Sequence, residues 1–148
     1  MKRAARRLCT LGVCLGLYVG AGPSNAAQCT VSTTGLAFGA YAPFSTAPNN
    51  SNGSVQITCD AVASYSIALA TGGSGSFDRA MASGTYRLKY NVFTEPSRTI
   101  VWGDGTGGSS SVTGSGTAAT IPLFGRIPAR QNVGVGSYTD TLIVTVSY

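Results

Sequence analysis

Histidine is absent from this 148-residue sequence, and its absence removes two large classes of site. A serine-hydrolase triad needs a general base, which is usually histidine, and protein zinc sites are built mainly from histidine and cysteine. The acidic residues are few and scattered, so no paired-carboxylate site is indicated; they are Asp60, Asp78, Glu95, Asp104 and Asp140. The sequence therefore predicts a protein that is not an enzyme and that holds no cofactor and no metal.

Charge is also scarce, and much of the positive charge lies at the start of the chain. Four basic residues precede residue 8, and residues 8–19 then form a largely apolar run. This run is too short to span a bilayer, which needs roughly 20 residues. Small residues at Ser24 and Ala26 favour cleavage after Ala26. We therefore predict a signal peptide over residues 1–26 and one exported domain over residues 27–148 without a transmembrane segment.

Removal of the signal peptide changes both the charge and the cysteine count. Four of the ten basic residues are lost, so six remain against five acidic residues, and this net charge of +1 does not favour nucleic-acid binding. Two of the four cysteines are lost as well, which leaves Cys29 and Cys59. Two cysteines in an exported domain most simply form one disulfide, and a metal site would lack further ligands.

Short segments with alternating apolar and polar residues recur after residue 27, and no window shows helical periodicity. Turn signals separate them, and Asn52-Gly53 is interpreted as one such turn. Clean alternation favours antiparallel sheets with one buried face. The predicted strands lie at 54–59, 65–69, 86–92, 99–102, 120–124 and 138–148, with another near Leu36 and Phe38. The sequence therefore predicts an all-β fold, an immunoglobulin-like antiparallel β-sandwich.

Three details of these strands have competing interpretations. Pro122 restricts its segment to an edge or irregular strand. The Gly- and Ser-rich segment 103–116 is interpreted as a loop rather than a linker. Trp102 could form a sugar-binding platform with Tyr65, Tyr86 and Tyr90, but these tyrosines lie on the apolar faces of their strands, so core packing is favoured.

The final segment, YTDTLIVTVSY at 138–148, alternates strictly and predicts a half-buried strand. Leu142, Val144, Val146 and Tyr148 share its apolar face. A strand of this kind needs neighbours on both edges to satisfy its backbone hydrogen-bonding groups. Because no later residue of the sequence covers this strand, we expect an open sheet edge beside it.

Several motifs together resemble the spore coat protein U domain, a family that includes the subunits of archaic chaperone–usher pili. The lead-in Gly136-x-Tyr138-x-Asp140 to a final alternating strand is typical of chaperone–usher pilus subunits. The other matching stretches are FGAYAP at 38–43, YNVF at 90–93, VWGDGTGG at 101–108 and IPLFGRIPARQNVGVGSYTDTL at 121–142. The resemblance extends from about Cys29 to Tyr148.

This resemblance implies a sandwich that lacks its last strand and has an apolar groove between its first and final strands. A periplasmic chaperone would fill the groove during transit, and a neighbouring subunit's strand would fill it after assembly at an usher, both by β-strand addition. The residues expected to line this partner-strand groove are Leu36, Phe38, Leu142, Val144, Val146 and Tyr148.

One feature departs from the polymerising members of the family, which carry an apolar donor strand between the signal cleavage site and the first cysteine. Here only Ala27 and Gln28 lie between them, a reach of roughly 7 Å. We therefore expect a subunit that accepts a strand but does not donate one, at the tip or as a minor subunit with a role in adhesion. The alternative is a self-complete coat protein or lectin-like module, whose missing strand comes from within the chain, for example from residues 103–120.

Overall fold

The computed structural model describes residues 26–148, which fold mainly into antiparallel β-structure. Except for Ala26, the predicted signal peptide lies outside the described residues. The elements are β1 (Cys29–Thr34), β2 (Asn49–Leu69), a 3-10 turn (Gly72–Ser74), β3 (Ala80–Ser83), β4 (Tyr86–Lys89), β5 (Asn91–Phe93), β6 (Val112–Ile127) and β7 (Val144–Ser147). The all-β prediction is confirmed. Over residues 26–148, no helix has the length and apolar character that a membrane span requires.

Two long strands, β2 and β6, form the centre of the fold. They pair from Asn49↔Ile127 to Ile67↔Val112, with an irregularity in β2 between Thr58 and Ala63. Leu123 of β6 pairs with Gly53 of β2. If β2 were straight, Leu69 at its end would lie about 50 Å from Gly53. Leu69 and Leu123 nevertheless line the same cleft. Strand β2 must therefore bend, so that its two halves belong to two facing layers of a sandwich.

The short strands show where this sandwich is open. β1 pairs with the first half of β2, and β7 pairs with the end of its second half. Because β6 occupies one edge of β2 along both halves, β1 and β7 both lie on the other edge. β5 extends the first layer beyond β6, while β3 and β4 form a separate hairpin. The gap between the layers therefore opens between β1 and β7.

The alternation in the sequence becomes an alternation of burial in β2. Val55, Ile57 and Ile67 are buried, whereas the residues between them are more exposed. Trp102 is fully buried and donates its Nε1–H to the carbonyl oxygen of Ile67 at 3.1 Å. It therefore contributes to the core rather than to an exposed sugar-binding platform, as the sequence favoured. Tyr86 differs from its predicted inward position and is half exposed.

The Asn52-Gly53 pair lies within β2 and not in a turn. Strand β6 pairs with both residues, and the chain passes close to Gly53 on the other side at Thr34 and Gly35, just beyond the end of the β1 ladder, so the backbone is held extended. Gly53 lies so close to the carbonyl oxygen of Thr34 that a Cβ atom would overlap with it. The glycine is thus required for the close approach of two strands, a role that a turn-forming dipeptide does not reveal.

The Gly- and Ser-rich segment 103–116 is also only partly a loop, because residues 112–116 begin β6. Gly114 pairs with Tyr65, whose ring lies where a side chain at position 114 would stand. The aromatic ring covers the glycine and compensates for its missing side chain. A sequence pattern based on composition misses a strand of this kind.

Three other predicted strands differ from those in the structure. The segment 86–92 divides at Tyr90 into β4 and β5, which belong to different sheets. Residues 99–102 form isolated bridges only, and Leu36 and Phe38 follow β1 without being part of a strand. Pro122 lies in β6 beyond the reach of β5, where its lack of an N–H group costs no ladder hydrogen bond.

Candidate strand-acceptor groove

A cleft of about 310 Å³ lies between the chain that follows β1 and the segment that leads into β7. It adjoins a second depression of about 640 Å³, and the two share Leu36, Phe38, Met81 and Tyr138. Buried side chains form the floor: Leu69, Met81, Leu88, Tyr90, Val92, Leu123 and Ile127. We call this continuous feature the acceptor groove, with an N-terminal wall at residues 33–43 and a C-terminal wall at residues 133–144. Such an apolar trough suits an apolar partner.

Beyond Thr34, where the β1 ladder ends, the N-terminal wall is held by side chains of β2. The Ser51 hydroxyl accepts from the backbone N–H of Ala37 at 3.1 Å and donates to its carbonyl oxygen at 2.8 Å. Asn49 donates its side-chain amide to the carbonyl oxygens of Phe38 and Ala40 at 2.9 and 3.2 Å. These bonds fix the backbone while the Leu36 and Phe38 side chains reach over the core.

Gly125 of β6 allows this wall to pack closely. A Cβ atom there would lie 2.8 Å from Leu36 Cδ1 and 2.8 Å from Phe38 Cζ. Real Cβ atoms do not approach other carbon atoms this closely, so the glycine provides the space for both side chains.

The C-terminal wall presents unused backbone groups to the groove. Thr139 exchanges two hydrogen bonds with Ala82, and Ile143 accepts from the N–H of Ala70 at 3.0 Å. Successive residues of an extended chain direct these groups to opposite edges. Tyr138, Asp140 and Leu142 therefore point theirs to the open edge, and over residues 26–148 these three residues form no backbone–backbone hydrogen bond.

Asp140 anchors this wall to the rest of the domain. Its Oδ1 accepts from the backbone N–H groups of Gly73 at 2.9 Å and Thr141 at 2.8 Å, and its Oδ2 accepts from the Tyr90 hydroxyl at 2.8 Å. Burial raises the pKa of Tyr90 above its ordinary value, and the hydrogen bond to Asp140 raises it further. The phenol therefore stays protonated and remains a donor at physiological pH.

We predict that Asp140→Asn lowers the free energy of unfolding by about 1–2 kcal/mol, because it replaces charge-assisted hydrogen bonds with neutral ones. Tyr90→Phe removes the same Oδ2 bond from the other side and serves as the partner in a double-mutant cycle. Urea unfolding of both single variants and the double variant measures the coupling. The two effects should be less than additive by at least 0.5 kcal/mol, because the residues share one bond; additive effects would contradict the proposed contact.

The structure brings together four of the six predicted groove residues in one cleft: Leu36, Phe38, Leu142 and Val144. Val146 is half-buried against the same core, whereas Tyr148 is 58% exposed and does not line the cleft. Cys29 and Cys59 are directly opposite each other across β1 and β2 and form a disulfide, which fixes the start of β1.

Sequence reasoning missed the floor of the groove and the role of Asp140. Met81 lies in the β3–β4 hairpin, which the sequence pattern does not predict, and the pattern assigns no contact to Asp140. The alternation of Leu88, Tyr90 and Val92 predicted that these side chains are buried, and they are. It could not predict that they lie beneath an open groove.

The model of the Spore Coat Protein U domain family matches residues 17–145, which is most of the chain. The chain belongs to the Spore Coat Protein U domain family. Protein U of Myxococcus xanthus is 31% identical to it over 67 residues, which are 45% of this chain and 37% of that protein.

The fold is also similar to that of one chain in a solved structure. That structure is the CsuC–CsuE chaperone–tip adhesion subunit pre-assembly complex from archaic chaperone–usher Csu pili of Acinetobacter baumannii. The match has a TM-score of 0.59 and 25% identity, and it covers 83% of this chain and 40% of the matched chain. This chain thus spans less than half the length of either protein. The match confirms the predicted immunoglobulin-like class of sandwich.

Proposed function

We propose that this protein is an exported structural subunit of a chaperone–usher pilus that accepts a β-strand from a partner. The observation that carries the proposal is the acceptor groove, which combines an apolar floor with a wall whose backbone groups are unused. Buried backbone groups need hydrogen-bond partners, and an added strand satisfies them while its alternate side chains enter the groove.

The length of the wall sets the length of the strand. The same alternation continues into β7. One edge of β7 is hydrogen-bonded to Ala70 and the preceding residues of β2, so the backbone groups of Val144 and Val146 face the opposite, open edge. From Tyr138 to Val146 this open edge spans about 27 Å, which corresponds to an added strand of about nine residues. Its apolar side chains would contact the buried floor and remove it from water.

Partners follow from the same proposal. The CsuC–CsuE complex, one chain of which is similar to this chain, is a chaperone–tip adhesion subunit complex, and we propose that a periplasmic chaperone, an usher and other pilus subunits use the groove of this protein in turn. The protein would pass through the periplasm to the cell surface after cleavage of residues 1–26. In this setting it acts as a structural subunit and not as an enzyme.

We further propose that the protein occupies the tip of the fibre or a minor position. The support is the sequence between the predicted cleavage site and Cys29, where Ala27 and Gln28 are too short to form a donor strand. The disulfide between Cys29 and Cys59 also ties this end of the chain to β2. A subunit of this kind accepts one neighbour and does not extend the fibre in the other direction.

The test uses the exported protein and a synthetic nine-residue peptide in which Val or Ile alternates with Thr. At a hundredfold excess over its Kd, the peptide should form a 1:1 complex and raise Tm by about 10 °C. A peptide of the same composition with scrambled alternation is the control. In size-exclusion chromatography, the protein without peptide should form no polymers of its own.

A matched pair of variants places the binding in the groove. Val144→Lys puts a charge on the wall, whereas Thr145→Lys puts the same charge on the exposed face of β7. We expect at least a tenfold loss of peptide affinity for the first variant and little change for the second. Equal affinity for both variants, or no binding of the alternating peptide to a stable monomer, would favour the self-complete coat protein, for which membership of the Spore Coat Protein U domain family is the support.

A further inference from the structure

The outer face of the first layer carries a group of positively charged and amide side chains that the acceptor groove does not use. Val55 of β2 and Leu123 of β6 point inward and are buried, and successive residues of a strand point to opposite faces, so the even-numbered residues around them point to the solvent. The register pairs Asn50 with Arg126 and Asn52 with Phe124. Directly opposed residues share a face, and these four therefore lie together on the outside.

Two arginines are fixed on this face by two asparagines. Arg126 donates from Nε to Asn50 Oδ1 at 3.1 Å, and Arg98 donates from Nη2 to Asn52 Oδ1 at 3.0 Å. Arg98 also donates to the carbonyl oxygens of Gly125 and Pro96, and its guanidinium lies 5.6 Å from the centroid of the Phe124 ring. Because Asn50 and Asn52 are two residues apart on one strand, they hold the two arginines about 7 Å apart at their points of attachment.

Neither arginine is paired with a carboxylate. The ion pair found within residues 26–148 joins Lys89 to Asp78, away from this face. The outward positions of the paired segments of β2 and β6 hold no acidic residue; from Asn50 to Thr58 and from Ala118 to Arg126 they are amide, hydroxyl, small, aromatic or basic. Glu95 lies near Arg98 in sequence, but its oxygens accept from Ser97, Arg98 N–H, Thr99 and Ile100 instead of from the guanidinium.

The hydrogen-bonding capacity of this face is almost entirely that of a donor. Arg126 uses one of its five N–H groups and Arg98 uses three. The asparagine Oδ1 atoms are turned toward the arginines, which leaves their Nδ2 groups available as donors. Rigidly held donors with two positive charges complement an anion, and planar guanidinium groups suit carboxylate and sulfate groups in particular.

Two aromatic rings adjoin these donors. Phe93 of β5 pairs with Phe124 of β6, and both rings are half-buried on the same side of the layer. Aromatic rings offer an apolar surface to the C–H faces of sugars, whereas a free inorganic ion would gain nothing from them. The combination thus favours an acidic sugar over a simple anion.

We propose that this outer face, formed by Asn50, Asn52, Arg98, Phe124 and Arg126, binds the carboxylate or sulfate groups of acidic polysaccharides. Leu123 points from the first layer into the acceptor groove, and this outer face lies on the opposite side of the same layer. The face therefore remains accessible when a strand fills the groove, and the proposal does not depend on the proposed function.

The experiment measures binding of the exported protein to heparin, which carries sulfate groups, and to polygalacturonate, which carries carboxylates, with neutral dextran as the control. We expect binding to one or both acidic polymers at low ionic strength, a decrease of at least tenfold at high ionic strength, and no binding to dextran. The two acidic polymers distinguish sulfate from carboxylate recognition. Absence of binding to both at low ionic strength, or equal binding to dextran, would overturn the proposal.

A pair of double variants locates the site. Asn50→Asp with Asn52→Asp keeps an acceptor for each arginine but cancels the charge, so Tm should not fall while affinity falls at least tenfold. Thr113→Asp with Ser115→Asp makes the same change in net charge at exposed positions in the other half of β6, and affinity should stay within twofold. The single variant Arg126→Gln should weaken binding at least threefold. Equal loss in both double variants, or retained binding in the first, would contradict this location.

Discussion

Replacement of Arg79 by Met should lower the free energy of unfolding by about 3–5 kcal/mol, the largest effect that we expect from one substitution. Arg79 is fully buried. Its Nη2 donates to the carbonyl oxygens of Ala70 at 2.7 Å and Trp102 at 2.8 Å, and its Nη1 donates to Asn91 Oδ1 at 2.9 Å. Met fills much of the same volume, but it leaves these buried oxygens without a donor.

Within residues 26–148, the surroundings of Arg79 compensate its buried positive charge without a carboxylate in contact with it. Burial lowers the pKa of Arg79, while Tyr90 and Asp140 act in the opposite direction. A guanidinium nevertheless stays charged in proteins, and over the described residues no carboxylate lies within ion-pair distance of it. The carbonyl dipoles, together with the Phe77 ring 5.2 Å away, therefore provide its nearest compensation.

Arg79→Lys is the matched control for this prediction. Lysine keeps the charge but cannot reach the separate acceptors with a planar fork, so it should restore only part of the lost stability. Urea unfolding of the monomeric protein measures both variants. If Arg79→Met unfolds within 1 kcal/mol of the unchanged protein, the buried oxygens have found other donors and this account is wrong.

Loss of the Cys29–Cys59 disulfide should lower the free energy of unfolding by about 3–4 kcal/mol. The two residues are 30 positions apart, and closing a loop of this length restricts the unfolded chain by roughly that amount. Cys29→Ser with Cys59→Ser changes each side chain by one atom, and the comparison is made by urea unfolding under oxidising conditions. Adding a reductant should destabilise the unchanged protein by a similar amount and leave the double variant unaffected.

The disulfide also bears on the groove. It fixes the start of β1, whose continuation forms the N-terminal wall, and the rest of β1 has β2 as its only strand neighbour among residues 26–148. The double variant should therefore bind the alternating peptide at least threefold more weakly, even at temperatures where it remains folded. Unchanged peptide affinity in a folded double variant would show that the wall does not depend on this bond.

The alternation of apolar and polar residues correctly predicted which side chains are buried in several strands. Val55, Ile57, Ile67 and Leu69 are buried as their spacing indicates, because side chains of an extended chain point alternately to two faces. The same spacing predicts the half-buried positions of Leu142, Val144 and Val146. These statements need no knowledge of the strand's neighbours.

Features that depend on contacts between distant residues were not predictable in this way. The strand at 112–116 depends on Tyr65 covering Gly114, and the extended backbone at Asn52 depends on its pairing with Phe124 of β6. Arg79 lies in the core because three acceptors from other segments converge on it: the carbonyl oxygens of Ala70 and Trp102 and Asn91 Oδ1. These contacts join residues at least nine positions apart, and alternation along one strand carries no information about them.

The sequence by itself determined an all-β domain, the faces of its principal strands and a final strand whose apolar side belongs against a core. Only the tertiary structure decided that β2 bends through both layers, that β1 and β7 share its free edge, and that Asp140 holds the open wall in place. The physical reason is that alternation specifies which way a side chain points, whereas the position of a gap depends on which strands occupy each edge.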